Sequence, residues 1–61
     1  MKEMAMVRNA DGEELFLGET IGKCKEWCES HSIDGSNGEY IATGRFYVSD
    51  RYFEVEDYEL I

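Results

Sequence analysis

The chain has 61 residues, enough for a single domain (1–61) and not for two, because a chain this short buries only about 60% of the surface that its unfolded form exposes. Hydrophobic residues make up 43% and aromatic residues 13%, which is too apolar for a disordered acidic tail. Six Lys and Arg against fourteen Asp and Glu give a net charge of −8, a balance that repels a phosphate backbone and argues against direct nucleic-acid binding.

Two cysteines are too few for a disulfide-stapled mini-protein, and no charged start leads into an apolar run with a cleavage site, so the chain reads as cytoplasmic. The longest apolar run is Met4-Ala5-Met6-Val7, far short of the roughly 20 residues of a membrane helix. No membrane association is expected.

Glu3 to Arg8 has strand length and leads into Asp11-Gly12, a two-residue hairpin signal. That loop pairs Val7 with Phe16 and Met6 with Leu17. Met4, Met6, Leu15 and Leu17 then share one face, expected to point at the core, with Ala5, Val7 and Phe16 on the other. Thr20 to His31 fits an amphipathic helix with Thr20 as N-cap; its apolar stripe collects Ile21, Cys24, Cys28 and His31, with Trp27 at the border. Residues 32–38 have loop composition, with Ile33 as the anchor back to the core.

Glu39 to Val48 and Tyr52 to Tyr58 read as a second hairpin around Ser49-Asp50-Arg51. Phe53 and Val55 should face inward, and Tyr52, Glu54 and Glu56 outward. Gly44 marks either a bulge in one long strand or a tight turn that splits it. The order strand, strand, helix, strand, strand points to an α+β fold in which one helix packs on one face of an antiparallel sheet of about four strands.

No residue set makes a convincing catalytic site, so the chain is not expected to be an enzyme, and no cofactor is expected. Cys24, Cys28 and His31 form C-x3-C-x2-H on one helix face, a spacing that permits zinc, but structural zinc sites draw ligands from separate elements and no other Cys or His exists. Buried apolar cysteines beside a helix-end histidine are the simpler account. Asp34 to Gly38 departs from a calcium loop, with Gly38 and Arg45 where oxygen ligands belong, and no Lys follows to make a phosphate cradle.

The acid is unevenly spread. Residues 1–31 carry four Lys/Arg and seven Asp/Glu, and residues 32–61 carry two and seven. Glu54 and Glu56 lie about 7 Å apart along one strand face, and Asp57 and Glu59 extend the negative surface. Tyr52 and Tyr58 interleave with them, and Tyr40 and Tyr47 lie on the neighbouring segment. Carboxylates on a rigid strand imitate the charge array of a nucleic acid, and exposed tyrosines supply contact area with little entropy loss.

With its small size, its acidity and the hairpin-helix-hairpin layout built on Asp11-Gly12, Thr20–His31 and Tyr52–Tyr58, the chain resembles the small inhibitor proteins that bacteriophages encode against host enzymes, including anti-CRISPR and anti-restriction proteins. The resemblance spans the whole chain and rests on layout rather than on a motif, so it transfers no functional residue. It implies a non-enzymatic inhibitor of a basic, nucleic-acid-handling protein, and the acidic, tyrosine-bearing strand surface read above, Tyr52, Glu54, Glu56, Asp57, Tyr58 and Glu59, is where such a partner is expected to bind. The alternative is an assembly module that joins a complex or a second copy of itself through a strand edge or the Ala5/Val7/Phe16 patch.

Overall fold

The computed structural model describes residues 2–61 and contains β1 (Lys2–Arg8), β2 (Glu14–Gly18), α1 (Ile21–Ser30), β3 (Tyr40–Tyr47) and β4 (Tyr52–Leu60). The strands form one antiparallel sheet in the order β2-β1-β3-β4. The helix lies across one face over β2, β1 and part of β3, which gives the α+β layer fold that the pattern of elements predicts.

The first hairpin keeps the expected pairs Val7–Phe16 and Met6–Leu17 but turns differently. Its loop is Ala10-Asp11-Gly12: the Gly12 N–H donates to the Asn9 carbonyl at 2.9 Å, the Asn9 N–H donates to the Glu13 carbonyl at 3.0 Å, and Gly12 has φ +85°. The Asn9 side-chain oxygen accepts from the N–H groups of Asp11 (3.0 Å) and Glu13 (2.9 Å), which fixes this three-residue loop over the two-residue one. Arg8 now pairs with Glu14, and Leu15 becomes the extra residue that restores the register at Val7–Phe16.

The helix begins where Thr20 accepts the Lys23 N–H at 3.1 Å. At its far end Ser32 takes a left-handed φ of 56°, the Ile33 N–H donates to the Cys28 carbonyl at 2.9 Å, and the Ser32 N–H donates to the Glu29 carbonyl at 3.3 Å. This Schellman arrangement satisfies two terminal carbonyls and turns Ile33 onto the helix-side core.

Both faces of the first hairpin are covered, and it is the Ala5, Val7 and Phe16 face that meets the helix. Ala5 and Val7, with Phe16 packed beside them, lie beneath α1 against Cys24, Cys28 and Ile41. The Met4, Met6 and Leu17 face turns away from the helix and packs with Ala42, Phe46 and Phe53. Small residues decide this: Ala5 on the sheet and two cysteines on α1 let helix and sheet approach closely, which the longer methionines would prevent.

Gly44 lies inside one continuous strand, so the tight-turn alternative is wrong; a bulge does form at this point, but on the partner strand rather than at Gly44 itself. Gly44 pairs with Val55 and Thr43 with Asp57, leaving Glu56 as the extra residue on β4. A Cβ at Gly44 would collide with the Glu54 carbonyl oxygen and lie 3.1 Å from the Glu56 nitrogen. The β4 backbone bends in over a position that only glycine leaves open.

Two stability predictions follow from these backbone positions. Ser32→Gly removes the cost of a left-handed non-glycine residue and should stabilise the fold by about 0.5–1 kcal/mol, raising Tm by roughly 4 °C. Gly44→Ala should destabilise it by about 1–3 kcal/mol through overpacking against β4; thermal and urea melts read both.

Candidate interaction surface

Straight alternation from Tyr52 would put Glu54, Glu56 and Tyr58 on one face and Asp57 and Glu59 on the other. The extra residue at Glu56 shifts the phase. Glu54 pairs with Arg45, Asp57 with Thr43 and Glu59 with Ile41, all on the helix side of the sheet, and Glu56 reaches Arg45 from the same side. Four carboxylates of β4 thereby share one face, and Tyr52 joins them opposite Tyr47. Tyr58 goes the other way: it pairs with Ala42 and packs edge-on against Tyr40 at 5.8 Å, on the helix-free face. The four tyrosines are thus two separate pairs, since Tyr47 and Tyr52 stack at 6.1 Å on the acidic side.

The helix does not pack on β4, so this acidic face stands beside α1 instead of under it. Lys25 reaches across to Glu59 at 3.0 Å, over a shallow cleft of about 280 Å³ that is floored by Ile41 and bounded by Glu29 and Ile61. Arg45 Nε sits 2.9 Å from Glu56 and 3.8 Å from Glu3, close enough for ion pairing but without an aligned hydrogen bond. Hydrogen bonding with Tyr47 and the charge of Glu56 push the Arg45 pKa up, which fixes it as a cation. The Tyr47 hydroxyl also donates to Glu54 at 3.3 Å. Glu54 and Asp57 make no ion pair among the described residues, and both are exposed.

The Cys24, Cys28 and His31 constellation is not brought together. Both thiols are buried against the sheet. The His31 ring is exposed, stacks on Trp27 at 4.2 Å, and donates from Nδ1 to the Trp27 carbonyl at 2.9 Å. Trp27 in turn stacks on Phe16 at 5.2 Å, so the histidine extends an aromatic stack at the helix margin. Among the described residues no three of the His, Cys, Asp and Glu side chains converge as metal ligands. Burial pushes both thiols above their ordinary value of 9.0, aided at Cys24 by its neighbour Cys28 and at Cys28 by Glu39.

The Ala5/Val7/Phe16 patch is likewise not available as a docking surface, since Ala5 and Val7 are buried under α1 and Phe16 is covered by Trp27. The helix-free face exposes Val55 (41%), Tyr58 (63%) and Leu60 (75%) together, besides exposed apolar side chains elsewhere such as Val48 and Tyr52. Val55, expected to be inward, is exposed because nothing covers the β4 end of that face, while Phe53 is buried as expected. The sequence signal for this second surface is the apolar phase Phe53, Val55, Tyr58, Leu60, which skips one residue at the bulge. No helix among the described residues is long and apolar enough to cross a membrane. Comparison with protein-family models, with curated proteins and with solved structures finds no match to this chain.

The thiols give a direct test of this packing. Iodoacetamide at pH 8 should label neither cysteine at an appreciable rate in the native protein and both in denaturant. A buried thiol keeps its proton when the unfolded thiol has lost it, so this contribution to stability is complete below pH 9.0 and declines as pH rises above it. A Cys24→Ala/Cys28→Ala variant should show a smaller decline above that pH when urea midpoints are compared.

Proposed function

We propose that this protein is a non-enzymatic inhibitor or regulator that occupies a basic surface of a nucleic-acid-handling protein in the cytoplasm. The observation that carries this reading is the phase shift at Glu56, which gathers Glu54, Glu56, Asp57 and Glu59 on one face of a strand that α1 leaves uncovered. Their spacing follows the rigid strand rise of about 3.3 Å per residue, so the charges are presented without the entropy loss of ordering a loop. Lys25 and Arg45 neutralise only part of the set. Tyr52, 57% exposed and stacked on Tyr47, offers an aromatic contact on the same side. Tyr58, on the opposite face, has no part in this surface. Occupancy of a groove built for phosphates inhibits by steric block and charge competition and needs no catalytic group. The resemblance in size, acidity and layout to phage-encoded inhibitors of host defence enzymes, anti-CRISPR proteins among them, supports the same reading.

The test is capture of partners from bacterial lysate on immobilised protein at low salt, eluted with a salt gradient, with Glu54→Lys/Asp57→Lys as control. These two positions are chosen because neither holds an ion pair that the fold uses. A nucleic-acid-binding protein should elute at moderate salt, lose at least tenfold in affinity for the control, and release its nucleic acid when the native protein is added at equimolar amounts. Binding that is indifferent to both salt and charge reversal, with the control still folded, overturns the proposal.

A further inference from the structure

The helix-free face of the sheet has the opposite character to the rest of the molecule. Lys2, Arg8 and Arg51 belong to this face: Lys2 pairs with Phe46, Arg8 pairs with Tyr40, and the Arg51 guanidinium lies over the Phe46 ring at 5.5 Å. None of the three forms an ion pair among the described residues, although the chain has fourteen carboxylates. Arg8 even stands opposite Glu14 in the register without bonding it; its Nε points to the Met6 sulfur at 3.4 Å and its guanidinium lies over Phe53 at 5.7 Å. Beside it opens a cleft of about 320 Å³ lined by Arg8, Tyr40, Val55, Tyr58 and Leu60.

We infer that this cleft is a second docking site, independent of the acidic face, and that it takes a segment of a partner protein that combines aliphatic or aromatic side chains with a carboxylate. Charge complementarity selects that occupant. An arginine held half-buried against apolar walls and lacking a counter-ion attracts a carboxylate more strongly than a solvated one does, and Val55, Leu60 and the Tyr58 ring supply the apolar contact. A second copy meeting this one face to face would bring Lys2, Arg8 and Arg51 near their own counterparts, with Glu14 of β2 on the same face, and self-association is one outcome of the test below. Single-stranded nucleic acid fits poorly: the two phenylalanine rings that a base would stack on are covered, 6% and 8% exposed, with arginines already over them. The protein thereby becomes a two-sided adaptor, with an acidic face on one side of β4 and a cationic, apolar cleft on the other.

Nitrogen-edited NMR spectra of the full chain, titrated with a blocked octapeptide mixture of Leu, Phe and Glu, test the inference against the same mixture with Lys in place of Glu, a thymidine oligonucleotide, and the protein alone over a concentration series. The Glu peptides should shift the Arg8, Tyr40, Val55, Tyr58 and Leu60 amides, and Arg8→Glu and Leu60→Asp should each weaken binding at least tenfold. Leu60 is 75% exposed, so its replacement spares the fold, and Arg51→Gln, which also loses a cation over a ring but lies outside the cleft, should bind as the native chain does. Equal binding of the Lys peptides, shifts confined to α1 or the acidic face, a response to the oligonucleotide or to self-association alone, or no response at millimolar peptide each overturns it.

Discussion

The architecture depends on one close approach, that of the β4 backbone to Gly44. Because the Glu54 carbonyl occupies the space where a side chain would project from that position, β4 is displaced and takes up one extra residue at Glu56. Everything C-terminal to that point changes face. A strand whose composition is nearly half acidic would otherwise alternate carboxylates onto both sides of the sheet and leave neither side suited to a partner. With the shift, Phe53, Val55, Tyr58 and Leu60 gather on one side and Glu54, Glu56, Asp57 and Glu59 on the other. A backbone feature of a single residue therefore sorts the chemistry of the whole strand.

The sheet also has to bury two faces with one helix. On the helix side, small groups permit close packing, and Cys24, Val7 and Ile41 are completely enclosed. On the other side no element is available, and Phe46 and Phe53 are covered by Arg51 and Arg8, whose guanidinium groups lie over the rings. Long cationic side chains serve as the missing layer. This cover ends short of Val55, Tyr58 and Leu60, which is why the apolar exposure concentrates at that end.

Much of this fold is legible in the sequence. The helix from its Thr20 cap, the Ile33 anchor, the second hairpin and the Val7–Phe16 and Met6–Leu17 pairs all follow from local pattern and hold because local and tertiary preferences agree. The loop at Asn9 was not legible from the Asp11-Gly12 signal, since the asparagine side chain selects a different turn and a compensating bulge at Leu15 hides the change from the pairs beyond it. Which hairpin face meets the helix is a question of how closely two layers can approach, and alternation carries no information on that. The grouping of Glu54, Glu56, Asp57 and Glu59 was visible as acid but not as a single face. Alternation puts Tyr58 on the wrong side for the same reason: a period of two cannot anticipate a residue inserted into it. The signal was nonetheless present, in the two adjacent acids Glu56 and Asp57 that interrupt the apolar repeat.

The same row of carboxylates has a consequence for crowding at high concentration. β4 is the last strand of the sheet and spans nine residues, so its outer backbone groups form a long unpaired ladder of the kind that invites another chain to add on. If a second copy added there in antiparallel fashion, carboxylates would face carboxylates across about 5 Å, and the kink at Glu56 would break the ladder midway. The longer of the two edge strands thus carries both a charge and a shape that disfavour pairing with its own copy.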